Sequence, residues 1–473
     1  MMDYPEMIQI RPKGPIRATI TPPGSKSITN RVLPVAALAE GNSVLRGVLD
    51  SEDTRIMMDA LRLLGITLQH DVQESEVFVK GCGGNLQIPE NRMEIFCGNS
   101  GTSLRFLSGI LSIFHGDFLL DGIPRMRQRP MGDMIHAMKK LGVDISSVYG
   151  NDCPPVHIRA AGLHGGITEI AGSASSQYLS GLLMACAYAH SPTLLRVRGN
   201  LVSRPYVEMT ISVMEDFGAD VFPVDLTQDM QNETHCMAES DLPIHTGKGS
   251  EEKVSWEFLV PPRQIYTGRD YMIEPDASAA SYFFAAAAVL GGEVTVMNLS
   301  KNSLQGDVAF CECLEKMGCE VHYMQNSIRV SRDPDSPLHG VDVDMHHISD
   351  TAQTLAVVAL FADSPTTIRN VANMRLKETD RIHALVTELR KFGVSTQEYS
   401  DGLTVHPLQK TDETWQWEIT ADIPSVNIET WGDHRMAMSF AVAGLKRPNV
   451  MIHDPGCVAK TYPQFFEDLA KLQ

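Results

Sequence analysis

The chain has 473 residues, too many for one comfortable core, and its 43% hydrophobic and 21% charged residues are typical of a globular protein with two domains. A formal net charge of −18 disfavours nucleic acid and anionic membrane as partners but permits a local basic pocket. The nine cysteines include no C-x-x-C pair, which argues against a zinc site and favours a reducing compartment. With no signal-peptide core and no apolar run longer than nine residues, we expect a soluble, cytoplasmic protein.

Six segments in chain order predict the first helix of a repeating unit, because each is apolar on most faces and opens with hydroxyl or charged residues. A β-branched segment follows each helix, and an amphipathic second helix comes next. The six first helices are SKSITNRVLPVAALAE, GNSGTSLRFLSGIL, SASSQYLSGLLMACA, EPDASAASYFFAAAAVL, ISDTAQTLAVVALFA and DHRMAMSFAVAGL.

Five of the second helices end in Leu, Met or Phe followed by glycine, the residue that most easily adopts the left-handed conformation of a helix C-cap. The intervals between these glycines are 77, 76, 100 and 75 residues, which indicates a repeated supersecondary unit. The long interval holds a surplus of about 25 residues, assigned to a polar insertion near 225–253. The glycines are Gly65, Gly142, Gly218, Gly318 and Gly393.

These elements predict six units, each running strand–helix–strand–helix–strand–strand. The last helix, YPQFFEDLAKLQ, has no strands after it, and the N-terminal segment 7–20 is expected to supply them. The chain would then form an N-terminal domain over 22–270, with three repeats and the insertion near 225–253. A C-terminal domain with the other three repeats would combine 1–21 with 271–473. We expect the active site in the cleft between the two domains.

The polar openings of the first helices are candidate anion sites, because a helix N-terminus presents free N–H groups and a partial positive charge. Ordinary capping explains each opening equally well in isolation. PPGSKS lacks the first glycine of a nucleotide phosphate loop and is therefore not interpreted as one. The candidates are Lys26, Ser27, Arg31, Asn99, Gly101, Thr102, Ser175, Ser176, Gln177, His434 and Arg435.

The segment RLKETDR is denser in charge than these helix openings, with two Arg, a Lys, a Glu and an Asp in seven residues. Lys377 and Arg381 are four residues apart and are predicted to share one face of a helix. Glu378 beside them is a carboxylate among cations, which suits a proton relay. Asp350 opens a buried-looking helix and could be a plain N-cap.

Together these motifs resemble the 5-enolpyruvylshikimate-3-phosphate synthase family (EPSP synthases, 3-phosphoshikimate 1-carboxyvinyltransferases). The resemblance implies an α/β fold of α+β repeats: a two-domain inside-out α/β barrel built from six βαβαββ units, the enolpyruvyl transferase fold. The motifs that carry it, in order, are PPGSKSITNR, GNSGTSLRF, PRMRQRP, SSQYLSGLLMA, SRPY, EPDASAASYF, ISDTAQT, NMRLKETDR, DHRMAM and AKTYP.

The resemblance also implies the reaction. The 5-hydroxyl of shikimate 3-phosphate adds to C2 of phosphoenolpyruvate while C3 gains a proton, and the tetrahedral intermediate then loses phosphate. No metal or organic cofactor and no nucleic-acid or membrane partner is implied, and a monomer is expected. Such a reaction places the chain in the shikimate pathway of aromatic amino acid biosynthesis.

Site residues carry over motif by motif. Asp350 would orient or deprotonate the attacking hydroxyl, Glu378 would move the proton at the methylene, and Lys26 and His434 would support them. Shikimate 3-phosphate would be bound by Lys26, Ser27, Arg31, Ser175, Ser176, Gln177, Ser203, Tyr206, Asp350, Asn373 and Lys377. Phosphoenolpyruvate would be bound by Lys26, Asn99, Gly101, Thr102, Arg129, Gln177, Arg381, Arg435 and Lys460.

Two positions and two rivals qualify the resemblance. Phe106 stands where some members have proline and is expected to change packing behind the loop. Gly101 is the small residue expected to leave room for glyphosate.

The UDP-N-acetylglucosamine enolpyruvyl transferases share the fold, but they usually carry a Cys or Asp in a mobile loop. PRMRQRP, the comparable segment, has neither. A non-catalytic anion-binding homologue is the other alternative.

Overall fold

The computed structural model divides the chain into two compact domains, which are described one at a time. The N-terminal domain is Ser27–Ile273, and the C-terminal domain combines Met1–Lys26 with Glu274–Gln473. Most of the insertion predicted near 225–253 lies outside the described residues. Those residues are 4–173, 175–227, 253–411, 414–415 and 422–473.

Two strands open the chain, and the elements of the N-terminal domain follow as alternating helices and strands. In chain order the elements are β1 (Met7–Ile10), β2 (Ile16–Ile20), α1 (Lys26–Leu38), β3 (Asn42–Arg46), α2 (Glu52–Leu63), β4 (Thr67–Asp71), β5 (Glu76–Lys80), β6 (Met93–Phe96), α3 (Gly101–Leu111), β7 (His115–Asp121), α4 (Gly132–Lys140), β8 (Asp144–Ser147), β9 (Val156–Ala161), β10 (Gly166–Ala171), α5 (Ser176–Cys186), β11 (Thr193–Arg198), α6 (Arg204–Asp216), β12 (Phe222–Asp225), β13 (Val254–Val260) and β14 (Asp270–Met272).

The C-terminal domain repeats the same alternation. Its elements are α7 (Ala277–Leu290), β15 (Gly292–Met297), α8 (Phe310–Lys316), β16 (Glu320–Met324), β17 (Ser327–Arg332), β18 (Asp342–Asp344), α9 (Ala352–Val358), β19 (Thr366–Arg369), α10 (Arg381–Arg390), β20 (Thr396–Tyr399), β21 (Gly402–Val405), β22 (Lys410–Thr411), β23 (Thr414–Trp415), β24 (Val426–Ile428), α11 (His434–Lys446), β25 (Val450–His453) and α12 (Phe465–Ala470).

Six open sheets correspond to the six predicted repeats; five of them have the four strands of the predicted βαβαββ unit, and the last has three among the described residues. The sheet orders are β14-β3-β5-β4, β6-β7-β9-β8 and β10-β11-β13-β12 in the N-terminal domain, and β16-β17-β15-β2, β18-β19-β21-β20 and β1-β25-β24 in the C-terminal domain. In the second repeat β6 pairs in parallel with β7 across the helix α3, and β9 and β8 add antiparallel. A β–helix–β crossover, a second helix and a closing hairpin produce this order.

The strands at the start of the chain differ from the prediction. Segment 7–20 was expected to supply both closing strands of the last repeat, but only β1 does so, antiparallel to β25. Strand β2 instead pairs in parallel with β15 and opens the fourth repeat. Strand β14, which precedes α7 in the chain, pairs in parallel with β3 and opens the first repeat. The two repeats therefore exchange their opening strands, because the chain leaves one domain after β2 and returns after β14.

The first helices form the interior of each domain, as the prediction of an inside-out arrangement requires. All 14 residues of α7 are buried, and α7 packs against α9 and α11. In the N-terminal domain α3 packs closely on α5, since a Cβ added at Gly109 would lie 2.3 Å from the carbonyl oxygen of Gly181. None of the described helices is long and apolar enough to cross a membrane.

The glycines predicted to end the second helices are confirmed. All of them have positive φ, between +83° and +99°, directly after the helix. The helix periodicity and these caps were therefore sufficient to locate the repeats. The five are Gly65, Gly142, Gly218, Gly318 and Gly393.

Candidate active site

One buried guanidinium in the C-terminal domain contacts three carboxylates. Arg381 is 1% exposed at the first position of α10. Its Nε donates to Asp433 Oδ2 at 2.7 Å and its Nη2 to Glu378 Oε2 at 2.8 Å. Its Nη1 donates to Asp350 Oδ1 at 3.2 Å. We call these four side chains the Arg381 cluster.

Asp433 connects this cluster to the start of α11. It is the N-cap of that helix, and its Oδ1 accepts a hydrogen bond from the Arg435 backbone N–H at 2.9 Å. An aspartate at an N-cap accepts a hydrogen bond from a free backbone N–H, and the partial positive charge of the helix N-terminus stabilises its carboxylate. The cap therefore fixes the helix opening that carries His434 and Arg435 beside Arg381.

Asp350 lies among three cations and is not the plain N-cap that the sequence allowed. It is the middle residue of the 3-10 turn Ser349–Thr351, and the N-cap of the following helix α9 is Thr351. Lys377 Nζ donates to its Oδ1 at 3.1 Å, and Arg435 Nη2 to its Oδ2 at 2.9 Å. Burial alone would raise the pKa of this carboxyl, but the cations around it, Arg435 first, hold its pKa well below the usual range. Asp350 is therefore ionised at neutral pH.

The structure corrects the predicted geometry of RLKETDR. A 3-10 segment, Ala372–Leu376, ends before Lys377, and Asp380 caps α10 by accepting from the His383 N–H at 3.1 Å. Lys377 therefore precedes the helix and shares no helical face with Arg381. The two cations still meet, because both donate to Asp350 Oδ1.

Glu378 and His434 complete the titratable groups of this site. Glu378 Oε1 lies 3.7 Å from Lys460 Nζ, and its Oε2 accepts from Arg381, so the carboxylate lies between these two cations. His434 is 1% exposed, and neither ring nitrogen has a hydrogen-bond partner among the described residues. Burial first, and then the charge of Arg435, hold the pKa of His434 well below its usual value. The imidazole is therefore neutral.

Two further predicted residues of the C-terminal domain have partners close to this group. The backbone N–H of Lys26 donates to Asp276 Oδ2 at 3.1 Å, and the other oxygen of Asp276 caps α7. Asn373 Nδ2 donates to Ser349 Oγ at 3.1 Å, which places it one residue from Asp350.

A second group of predicted residues, in the N-terminal domain, surrounds Arg31. Its Nε donates to Thr210 Oγ1 at 2.7 Å, and its Nη1 and Nη2 donate to the carbonyl oxygens of Ser27 and Tyr206 at 2.7 and 3.0 Å. Every hydrogen bond of this guanidinium in the described structure goes to a hydroxyl or a carbonyl. Burial lowers the pKa of Arg31 to about 10, far from the point where it would lose its charge at neutral pH.

Phe106 packs against this arginine rather than only behind the loop. Its ring centroid lies 5.2 Å from Arg31 Cζ, and the Tyr206 ring lies 5.9 Å from the same atom. A cation over an aromatic face is stabilised by the ring quadrupole. The departure from the family pattern at position 106 therefore touches a predicted substrate ligand.

The openings of α3 and α5 are joined by one amide. Gln177 Nε2 donates to Thr102 Oγ1 at 2.9 Å. Ser175 is the N-cap of α5 and accepts from the Gln177 N–H at 3.4 Å, so the ordinary capping interpretation also holds there. Ser176 follows it as the first, buried residue of α5, and Ser203 precedes α6 in the left-handed region at φ 55°.

Gly101 leaves the space that Arg129 occupies. A Cβ added at Gly101 would lie 2.6 Å from Arg129 Nη2, and the neighbouring Nη1 donates to the Asn99 carbonyl oxygen at 3.4 Å. Any side chain at position 101 would displace this guanidinium. Asn99, Gly101 and Arg129, which are all predicted to bind phosphoenolpyruvate, are therefore close neighbours.

Sequence reasoning missed three buried residues that contact the site. Asp433 was part of the DHR motif but had no role assigned, although aspartate before a helix is a recognisable cap. Ser278 Oγ accepts from Arg435 Nη2 at 3.4 Å and donates to Asp307 Oδ2 at 2.7 Å. Arg105 Nη1 donates to Gln177 Oε1 at 2.5 Å, and its only signal was its position three residues after Thr102 on a helix.

A family model described as EPSP synthase (3-phosphoshikimate 1-carboxyvinyltransferase) matches residues 10–233 and 245–469. The 3-phosphoshikimate 1-carboxyvinyltransferase of Photobacterium profundum is 39% identical over 468 residues, covering 99% of each chain. The chloroplastic 3-phosphoshikimate 1-carboxyvinyltransferase 1 of Nicotiana tabacum is 41% identical over 479 residues, which cover 98% of this chain and 84% of that protein. A solved EPSP synthase structure from Acinetobacter baumannii superposes with a TM-score of 0.73 at 25% identity, covering 98% of this chain and 96% of that one. The chain belongs to the EPSP synthase family.

Proposed function

We infer that the Arg381 cluster and the Arg31 group together carry out the reaction of the family. The chain transfers the enolpyruvyl group of phosphoenolpyruvate to the 5-hydroxyl of shikimate 3-phosphate and releases phosphate. The observation that carries the assignment of residues is the Arg381 cluster itself. One guanidinium holds Asp350 and Glu378, which are two carboxylates that also contact lysines, beside further cations.

Two anionic substrates need many cations and N–H donors. We propose that Arg129, Arg381, Arg435 and Lys460 bind phosphoenolpyruvate, because a guanidinium fork pairs bidentately with carboxylate and phosphate. Asn99, Gly101, Thr102 and Gln177 supply the smaller contacts of that subsite. The ligands proposed for shikimate 3-phosphate are Lys26, Ser27, Arg31, Ser175, Ser176, Gln177, Ser203, Tyr206, Asp350, Asn373 and Lys377.

The acid–base roles follow from charge. With its pKa held so low, Asp350 is a weak base and mainly accepts a hydrogen bond from the 5-hydroxyl, which orients it. When an anion binds at Arg381 and Arg435 it offsets their charge, so the pKa of Asp350 rises toward a value that suits proton transfer. Glu378, between Arg381 and Lys460, is then the group that moves the proton at the enolpyruvyl methylene.

The supporting groups have narrower roles. Neutral His434 can donate one N–H to a substrate oxygen, but it carries no imidazolium proton at neutral pH. Lys26 places its ammonium close enough to lower the pKa of both Asp350 and His434. We propose that Lys26 stabilises negative charge that develops in the addition step.

Two coarser properties complete the proposal. We propose a monomer that acts in the cytoplasm. Eight free cysteines among the described residues support a reducing compartment. We also propose that the three-repeat domains predicted at 22–270 and at 1–21 with 271–473 each contribute residues to the same two substrates. Sedimentation of the purified protein at a mass near 52.1 kDa would support the monomer.

Phosphate release tests the function. The protein is mixed with shikimate 3-phosphate and phosphoenolpyruvate, and release is expected only when both are present. Glu378→Gln is expected to reduce kcat by about 10²–10⁴-fold, the usual contribution of a general acid–base group. Glu312→Gln, on the exposed side of α8, is the matched control and should retain full activity.

Three outcomes would contradict the proposal. Release that requires UDP-N-acetylglucosamine in place of shikimate 3-phosphate would assign the chain to the other transferase. Binding of both substrates without any release would indicate a non-catalytic homologue. Full activity of Glu378→Gln would remove that residue from the proton transfer.

A further inference from the structure

Arg105 is a buried charge of the N-terminal domain to which the proposed reaction assigns no role. It is 4% exposed on α3, where it follows Thr102 by three residues. On a helix that spacing places the two side chains on one face. Arg105 therefore lies directly beneath the helix opening that carries Gly101 and Thr102.

Arg105 determines which way the Gln177 amide points. Its Nη1 donates to Gln177 Oε1 at 2.5 Å, while Gln177 Nε2 donates to Thr102 Oγ1 at 2.9 Å. A guanidinium has donors only, so the atom that faces it must be the amide oxygen. The oxygen is thereby occupied, and the second N–H of Nε2 is the group that Gln177 can offer to a ligand.

That orientation has a consequence for recognition. An amide that could turn over would present its oxygen to phosphate or carboxylate and repel it. With the oxygen held by Arg105, Gln177 offers anions a donor alone. The charged donor also polarises the amide, which strengthens the hydrogen bonds on its N–H side.

The other face of the same guanidinium reaches the loop of Arg129. Arg105 Cζ lies 5.1 Å from the ring centroid of Tyr178. The Tyr178 hydroxyl donates to the carbonyl oxygen of Pro130, the residue after Arg129. A single buried side chain therefore contacts both the amide and the aromatic residue that holds the phosphoenolpyruvate loop.

We propose that Arg105 is a positioning residue of the phosphoenolpyruvate subsite, which holds the Gln177 amide with its N–H groups toward the substrate. The inference rests on the proposed role of Gln177 in binding. Arg105 itself touches no substrate. Its removal should therefore weaken binding of phosphoenolpyruvate more than it slows the chemical step.

A double-mutant cycle on the full-length protein tests the proposal. Arg105→Met is expected to raise KM for phosphoenolpyruvate about tenfold, the usual effect of one charge-assisted hydrogen bond, with kcat at saturation changed less than about threefold. Gln177→Ala should raise the same KM by a similar factor. In the Gln177→Ala background, Arg105→Met should add less than about twofold, because its effect passes through the amide.

Arg105→Lys and Arg447→Met are the matched variants. A lysine keeps the charge but loses the planar fork, so Arg105→Lys should recover part of the affinity and again have no effect in the Gln177→Ala background. Arg447 is a buried arginine of the C-terminal domain that donates to the Pro448 carbonyl, and Arg447→Met should leave KM unchanged. If Arg105→Met does not fold, the cycle is completed with Arg105→Lys.

Multiplicative effects of the Arg105 and Gln177 changes would overturn the proposal. So would equal changes in KM for both substrates that follow the melting temperature, since these indicate a structural role only. Failure of the proposed function is a separate result, because the unmodified protein would then release no phosphate from the two substrates.

Discussion

Arg381 and Arg31 are both buried and both belong to helix openings, but the two domains surround them differently. Arg381 contacts three carboxylates, whereas the hydrogen bonds of Arg31 in the described structure go to hydroxyls and carbonyls. Burial lowers the pKa of Arg31 to about 10. Burial also acts to lower that of Arg381, but Asp433 and then Glu378 outweigh it and raise the pKa above its usual value.

The difference separates two uses of the same residue type. In the C-terminal domain three carboxylates of the protein neutralise the positive charge. Around Arg31 the described residues offer hydroxyl and carbonyl dipoles, so an anionic ligand would add a full counter-charge. We therefore expect loss of Arg381 to destabilise the fold as well as the proposed phosphoenolpyruvate subsite, and loss of Arg31 to weaken substrate binding with a smaller effect on stability.

Arg381→Met is the change with the largest expected effect. It leaves Asp433 and Glu378 as buried carboxylates without their common partner, so the free energy of unfolding should fall by about 3–5 kcal/mol. Urea denaturation followed by circular dichroism measures this loss. Arg390→Met, at the exposed end of the same helix, should cost less than about 1 kcal/mol. Similar losses in the two variants would refute the contrast.

Arg31→Met should show the opposite pattern. The dissociation constant of shikimate 3-phosphate is expected to rise about 10–150-fold, the range for hydrogen bonds to a charged group. The free energy of unfolding should fall by less than in Arg381→Met, because the groups left without a donor are neutral hydroxyl and carbonyl oxygens rather than carboxylates. Titration calorimetry and urea denaturation of the same preparation measure both. A variant that loses stability but keeps its affinity would reverse the assignment.

Gly101→Ala tests the contact between the α3 opening and Arg129. The added Cβ would lie 2.6 Å from Arg129 Nη2, so the guanidinium must move. At about 1–3 kcal/mol for such overpacking, KM for phosphoenolpyruvate should rise about 5–150-fold. Glyphosate is expected to compete with phosphoenolpyruvate in the unmodified protein, and its inhibition constant should rise in the variant. Gly14→Ala, with open space around the Cβ, should leave KM as it is. Inhibition that ignores the phosphoenolpyruvate concentration would contradict this account.

His434→Gln has the smallest expected effect, and only in acid. The pKa of His434 is depressed in the folded state, so below about pH 6.5 the unfolded chain binds a proton that the folded chain does not. The contribution is complete above that pH and is lost as the pH falls, at up to about 1.4 kcal/mol per pH unit. Replacement by glutamine should flatten the decline of unfolding free energy between pH 6.5 and 5. The unmodified protein is the reference, and an unchanged slope in His434→Gln would show that the imidazole binds its proton alike in the folded and the unfolded chain.

The repeats could be predicted from the sequence because their signals are local. The features that sequence reasoning missed depend on contacts between residues far apart in the chain. Helical periodicity and the left-handed glycines depend on neighbouring residues, so the six first helices and five caps were found. The segment that forms β2 has the same alternation whichever sheet it joins, so its pairing with β15 had no local signature. Lys377 was misplaced because the cap at Asp380 starts the helix only at Arg381. Roles for individual site residues came from the motifs, whereas the Arg105–Gln177 contact joins residues 72 positions apart.

The exchanged strands also determine the order in which the two domains can fold during synthesis on the ribosome. The N-terminal domain can complete its first sheet once β14 has emerged, since β14 pairs with β3. Strands β1 and β2 are synthesised first, yet their partners β25 and β15 are among the segments made after that domain. Vectorial synthesis therefore favours folding of the N-terminal domain while β1 and β2 still lack their partner strands. The C-terminal domain is complete only when synthesis has reached His453, the end of β25. A nascent chain that stops before β15 leaves β1 and β2 unpaired, and one that stops between β15 and β25 leaves β1 unpaired.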